Sequence, residues 1–356
     1  MLLLAGVSPA MSAAGAARSA APAPTEGDYL AKEFHFRSGE NLAELRLHYT
    51  TYGTAHRDAN GRVTNAVLLL HGTGGSGGSL MVPKFAGELF GKGQALDAEK
   101  YFIVLADSIG HGKSSKPSDG LHAHFPQYDY DDMVAAQHEM LLNGLGVSHL
   151  RLILGTSMGC MHSYVWGETY PDFMDALMPL ACLPVPIAGR NRMWRKAVMD
   201  AIRNDPQWLG GDYVTQPRAA RDVANLVSMI VGSAPIQMLK SAPTRDTADA
   251  YLAQDLARRS EGFDANDEWY ALNASRNYNP TPLLETIRVP VMHINSADDF
   301  INPPELRIAE REIKRVRYGR FLLLPASEQT HGHGTHTWAA VWQQHLRELL
   351  KRSERR

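Results

Sequence analysis

Short apolar runs separated by amphipathic stretches set the rhythm of the chain. Residues 66–70, 101–106, 150–154, 176–180, 291–294 and 321–324 are each mostly apolar, with the length of strands buried on both faces. Residues 131–145 and 158–168 lie between such runs and carry helical spacing. Strand alternating with helix predicts a mainly parallel sheet covered by helices on both sides. Two earlier segments, 33–37 and 44–51, alternate apolar and polar residues in part and predict a pair of strands.

One interval departs from this rhythm. From 184 to 282 there are amphipathic helical stretches but no buried-strand pattern, and the interval is bounded by Pro184 and Pro186 on one side and Pro280 and Pro282 on the other. Trp194, Trp208, Met229, Ile230, Met238, Trp269 and Tyr270 give it ample apolar surface. The reading is a helical cap, 184–282, inserted into an α/β core made of 28–183 and 283–356. Residues 1–27 form a separate leader: an apolar start, then Ala, Pro and Ser with A-x-A sites at 14–16 and 21–23, like the end of a secretory signal peptide. That leader predicts a periplasmic or secreted protein, with a cytoplasmic protein as the alternative. No run elsewhere approaches the ~20 apolar residues of a membrane span.

Composition narrows the classes further. With 21% charged residues and a formal net charge of −2 there is no basic excess for nucleic acid. The two cysteines, Cys160 and Cys182, sit in apolar surroundings and are expected to be small buried packers rather than a bridge. They are too few for a Cys-based zinc site.

The chemistry is concentrated at G-T-S-M-G, 155–159, directly after one predicted strand and directly before a helix. A sharp strand-to-helix turn exposes the serine hydroxyl, and glycines two residues to either side relieve the crowding. Ser157 is therefore the candidate nucleophile, and the N–H of Met158 a candidate oxyanion donor. A serine needs a base and an orienting carboxylate, so an acid and a histidine are sought in the rest of the chain. The strand at 291–294 runs into Asp298 and Asp299; Asp299 is preferred because Pro303 stands four residues beyond it. The last strand leads to T-H-G-H-G-T-H, 330–336, where His333 is flanked by glycines, with His331 and His336 as alternatives. A metal site on those three histidines is disfavoured, since it leaves Ser157 without a base.

The stretch H-G-T-G-G-S-G-G, 71–78, contains a G-x-G-x-x-G pattern, which alone is weak evidence for dinucleotide binding. An acidic residue is wanted about 20 residues on, whereas Asp107 comes later and opens a D-x-x-G-x-G-x-S turn. The loop is read instead as carrying the second oxyanion donor, the N–H of Thr73. No cofactor is expected.

Taken together these residues resemble the α/β-hydrolase superfamily, and specifically the homoserine O-acetyltransferase family, over about 47–342. The likeness rests on H-Y-T-T-Y-G at 48–53, N-A-V-L-L-L-H-G at 65–72, the elbow with Met158 after the serine, A-I-R-N-D-P-Q-W at 201–208, Gly211, Tyr213, F-D-A-N at 263–266 and G-H-G at 332–334. The resemblance implies an α/β-hydrolase fold, a Ser157–His333–Asp299 triad, a small-molecule acyl ester or thioester as substrate, and a homodimer. Three positions differ from the transferases: Cys160 follows the elbow where they usually have glycine, and Met199 and Gly262 stand where they often have arginine. Arg190, Arg192, Arg195 and Arg276 are candidate substitutes for holding a substrate carboxylate. The leading expectation is hydrolysis of the acyl-enzyme by water, with transfer to a small hydroxyl acceptor as the alternative.

Overall fold

A computed structural model describes residues 22–354. Eight strands form one sheet in the order β1-β2-β4-β3-β5-β6-β7-β8. They are β1 (Thr25–His35), β2 (Asn41–Tyr52), β3 (Ala66–Leu70), β4 (Phe102–Ala106), β5 (Leu152–Thr156), β6 (Leu177–Leu180), β7 (Val291–Ser296) and β8 (Gly319–Leu324). The pairs from β4 through β8 are parallel, while β1–β2 and β2–β4 are antiparallel. The helices are α1 (Ala86–Leu89), α2 (Tyr130–Glu139), α3 (Met158–Thr169), α4 (Gly189–Asn204), α5 (Arg218–Gly232), α6 (Pro235–Ser241), α7 (Arg245–Ser260), α8 (Ala265–Asn273), α9 (Ile308–Glu312) and α10 (Ala339–Arg352).

The two-residue period of the strands divides the core into two layers. Leu68, Leu70, Val104 and Ile153 face α2 and α3, where Met133, Val134, Met161 and Trp166 meet them. Val67, Leu69, Leu105 and Leu154 face the other side, against Leu89, Trp342, Leu346 and Leu349 of α1 and α10. All five residues of β3 are buried, which explains why the central strands read as unbroken apolar runs.

The predicted elements differ from the observed ones chiefly at their ends. β1 begins at Thr25 rather than at residue 33, because its backbone pairs with β2 from Thr25 opposite Thr51 onward and its side chains are largely exposed. Hence 25–27 belong to the sheet and not to the leader, whose remaining signal-like residues up to 21 lie outside the described part. The helix expected over 131–145 ends its α-helical part at Glu139 and continues as a π-turn through Met140–Gly144.

Between β6 and β7 there is no strand among the described residues, only α4 to α8 and short 3₁₀ turns. This segment has a core of its own, built from Val198, Met199, Ile202, Tyr213, Ala220, Ala224, Ala265 and Leu272. Asn266 binds it together: its side chain accepts from Trp208 Nε1 at 2.9 Å and donates to Gly211 O at 2.8 Å. Tyr270 donates to Phe125 O at 2.6 Å, and Asp267 accepts from the Ser118 hydroxyl at 2.6 Å, fastening it to the sheet domain. Among the described residues no single helix is long and apolar enough to cross a membrane, though α5 and α6 pass that test as a pair bent by 111°.

Candidate active site

β3 and β5 are neighbours in parallel register, with Leu70 opposite Gly155, so the loop after one lies beside the turn after the other. Ser157 is the single residue between β5 and α3. Its φ of 54° and ψ of −107° are a conformation that costs a non-glycine residue free energy. The surroundings hold it there: Ser157 N–H donates to Leu180 O at 2.8 Å, and Gly159 N–H to His71 O at 2.9 Å. A Cβ on Gly155 would lie 1.9 Å from Gly159 O, and one on Gly159 would lie 2.3 Å from Leu70 O. Neither position admits a side chain, which is the physical content of the G-x-S-x-G spacing.

The loops after β7 and β8 deliver the partners. His333 Nε2 lies 2.8 Å from Ser157 Oγ, and its Nδ1 lies 2.9 Å from Asp299 Oδ2. Asp299 is fully buried, which by itself would raise its carboxyl. The charge and hydrogen bond of His333 and the hydrogen bonds of Asn302 outweigh burial and hold the group below the usual carboxylate range. The N–H groups of Ile301 (2.8 Å) and Asn302 (3.1 Å) donate to Oδ1, and Asn302 Nδ2 donates to Oδ2 at 3.0 Å. Asn302 also reaches Ala181 O, so it joins the carboxylate to the end of β6. Sequence reasoning passed over Asn302; its place three residues after Asp299 was the available signal.

Asp298 is used differently. It accepts from Ser296 Oγ, from Thr330 Oγ1 at 2.8 Å and from Gly332 N–H at 3.0 Å, and so shapes the loop that carries His333. His331 stacks on Trp338 with ring centroids 3.8 Å apart. His336 is buried edge-on to His333, and burial, aided by the neighbouring His333, pushes it down to about 3. The three histidines thus have three separate environments.

The oxyanion candidates sit on the other side of Ser157. Met158 opens α3, so its N–H has no intrahelical acceptor. Gly72 packs so closely that a Cβ there would be 3.2 Å from Ser157 Cβ, which brings the following residue, Thr73, alongside. The Thr73 carbonyl accepts from His111 Nε2 at 2.9 Å. Below it His71 donates from Nδ1 to Gly72 O at 2.8 Å and accepts the Ser108 N–H on Nε2 at 3.1 Å. That pattern requires the neutral ring, in keeping with burial pushing His71 down to about 3. Asp107 accepts from Gly77 N–H (2.7 Å) and Lys113 N–H (2.8 Å). Its carboxylate therefore ties the glycine-rich loop to the next turn and is not free for a ribose. His71, His111 and Asp107 had no role in the sequence reading beyond their motifs; the hydrogen bonds that use them join residues far apart in the chain.

Cys160 and Cys182 form a disulfide, correcting the expectation of two separate packers. Cys160 lies in the first turn of α3 and Cys182 just past β6, with Cα atoms 5.8 Å apart, inside the range a bridge spans. Strand adjacency brings them together, and no local pattern announces it. The two sulfurs and His293 lie within 4.8 Å of one another, but the bridge engages both sulfurs, and the ring nitrogens of His293 face Tyr164 OH, Cys182 O and Asn295 Oδ1.

Two cavities meet at Ser157 and His333. One, of about 960 Å³, runs between residues 181–190, the loop 297–308 and the α5–α6 junction; its walls are mainly apolar. The other, of about 560 Å³, is lined by the glycine-rich loop with Thr73, by Asn225, Arg259 and Glu268, and by Gly262. Arg195 borders both and is buried, with Nε on Asn191 Oδ1 at 3.0 Å. Arg190 lies over the Phe300 ring at 3.7 Å and donates to its carbonyl. Arg192 and Arg276 line neither cavity, and Met199 points into the core of the helical segment.

Comparison with known proteins agrees with this architecture. A family model described as alpha/beta hydrolase fold matches residues 65–322. The homoserine O-acetyltransferase of Moorella thermoacetica is 30% identical over 313 residues, covering 76% of this chain and 80% of its own. That of Haemophilus influenzae strain 86-028NP is 28% identical over 282 residues, 72% of this chain and 77% of its own. The crystal structure of homoserine O-acetyltransferase from Bacillus anthracis superposes with a TM-score of 0.80 at 20% identity, over 92% of this chain and 97% of that one. Sheet order, nucleophile turn and sequence likeness converge on one conclusion: the chain belongs to the α/β-hydrolase-fold family, as an enzyme of its homoserine O-acetyltransferase-like group.

Proposed function

We propose that the protein is an acyl-transfer enzyme that works through an acyl-serine on Ser157. The observation that carries this reading is the unbroken hydrogen-bond chain Asp299–His333–Ser157 at the meeting point of two cavities. Ser157 Oγ attacks the carbonyl carbon while His333 Nε2 takes its proton, and Asp299 orients the ring and stabilises the imidazolium. The N–H groups of Thr73 and Met158 hold the developing oxyanion. The tetrahedral adduct expels its alkoxide or thiolate, which leaves with the proton from His333. An incoming hydroxyl then gives its proton to the same nitrogen and attacks the acyl carbon, and as the bond to Ser157 Oγ breaks His333 returns that proton to the serine.

The relatives support a small hydroxyl compound as that acceptor, in preference to the water expected from sequence. Arg195 adds to this, since it lines both cavities that hold Ser157, whereas Met199 and Gly262 supply no guanidinium. Hydrolysis is the second reading. The Cys160–Cys182 bridge favours it, because such a bridge suits an oxidising compartment and therefore an exported enzyme, whereas transfer from acetyl-CoA suits the cytoplasm. A helical cap over residues 184–282 and a homodimer complete the proposal. Leu226, Ile236 and Leu239 of α5 and α6 expose apolar surface in keeping with a second copy.

The test is CoA release from acetyl-CoA by the purified protein, with and without L-homoserine, against Ser157→Ala. Release that requires both homoserine and Ser157 supports transfer. Ser157-dependent cleavage of aryl acetates without acceptor-dependent CoA release supports hydrolysis, and no Ser157-dependent reaction on either substrate refutes the acyl-serine itself.

A further inference from the structure

We propose that one side of the scissile ester or thioester is an extended aliphatic chain, held in the 960 Å³ cavity; this deepens the acyl-serine reading and rests on it. The cavity is lined at one point by Ser157 and His333, so a group attached to the reacting carbonyl can extend into it. Its size is that of a site for a drug-sized ligand, at the upper end of the usual range of about 300–1,000 Å³. An acetyl group or a short amino acid would leave most of it to water.

Its chemistry points the same way. Met161, Val185, Ile187, Ile230, Phe300 and Ile308 supply the walls from four separate segments. Several of the polar groups along it are already engaged, while Glu305 on its wall is exposed to solvent. Asp299 is taken by His333 and Asn302, Asp298 by Thr330 and Gly332, Asn302 by Ala181 O, and Arg190 by the Phe300 ring and carbonyl. Arg195 is at the seam with the other cavity. The second cavity has the larger polar share of wall, with Thr73, Asn225, Arg259 and Glu268 on it, so the carbonyl oxygen and any hydroxyl or charge belong on that side. A substrate with one aliphatic arm and one polar arm matches both walls at once.

The bond changes are those of acyl transfer. The Ser157 Oγ–acyl bond forms as the acyl–oxygen or acyl–sulfur bond breaks, the serine proton passes through His333 to the leaving atom, and no oxidant or reductant is used. The chain can sit on the acyl or the alcohol side of the bond, and two substrate series separate these. The full-length protein is assayed with p-nitrophenyl esters from acetyl to dodecanoyl, and with n-alkyl acetates from ethyl to decyl, always against Ser157→Ala.

In one of the two series kcat/KM is expected to rise roughly three- to fourfold per methylene until the cavity is filled. Ile187→Trp and Ile230→Trp fill it from different segments; in each, kcat/KM for the eight-carbon member should fall at least tenfold more than for the two-carbon member. Both series peaking at their shortest member, with Ser157-dependent turnover intact, overturns the aliphatic arm while leaving the acyl-serine standing. Loss of all Ser157-dependent turnover together with failure of a fluorophosphonate to label Ser157 overturns both, and so identifies which reading failed.

Discussion

Two adjacent aspartates stand at the end of β7 and have different duties. Asp299 contacts His333 directly, so Asp299→Asn should lower kcat by about 10⁴ through loss of the correct ring tautomer, with little change in fold. Asp298 acts on the loop instead, so Asp298→Asn is expected to cost closer to tenfold, and steady-state kinetics on one ester compares them. Equal losses would contradict the assignment. A second carboxyl gives a pH prediction. Burial, reinforced by Asp131, pushes Glu168 up to about 9 from 4.5, and its Oε1 has no hydrogen-bond partner. A raised pKa means the native state holds a proton that the unfolded state has released, so stability is fullest below about 4.5 and declines as pH rises toward about 9. Glu168→Gln should therefore melt higher than the parent at pH 8.5, by about 2–4 °C for each kcal/mol recovered, with the gap closing at pH 5. Ser157, His333 and Asp299 were legible as candidates because each sits next to a strand end with glycines or a proline at the expected spacing. The partners of Asp298, Asn302 and His111 were not, since those bonds depend on where loops meet.

At the level of elements, the disulfide ties the first turn of α3 to the end of β6 and so to the start of the segment that lines the larger cavity. With its cysteines 22 positions apart in sequence, removing it should cost about 3 kcal/mol by the loop-entropy relation. Thermal melts of the parent with and without a dithiol reductant, and of a Cys160→Ala/Cys182→Ala double variant, check this. The reductant should lower the melting temperature of the parent and leave the double variant unmoved. The strands of the central sheet were readable because burial on both faces demands a continuous apolar run. β1 was misplaced because an edge strand with exposed side chains carries little of that signal and is held by backbone pairing to β2.

On the scale of the whole molecule, α5 and α6 present Leu226, Ile236 and Leu239 to solvent. If a second copy covers them, Ile236→Asp with Leu239→Asp should turn a dimer into a monomer in light scattering after size exclusion, while circular dichroism stays unchanged. A parent that is monomeric at micromolar concentration would refute the homodimer.

Periodicity and spacing in the chain alone pointed to the mainly parallel sheet and the serine turn, while the order of serine, acid and histidine came with the resemblance to the α/β-hydrolases. The first two are set by local rules: a continuous apolar run for a strand buried on both faces, and a steric need for glycine at the turn. Which aspartate meets His333, that two cysteines join, that Asp107 is consumed by the glycine-rich loop and that two unlike cavities flank Ser157 were decided only by tertiary structure. Each depends on segments far apart in sequence, brought together by the sheet order, and burial of the central strands is what enforces that order.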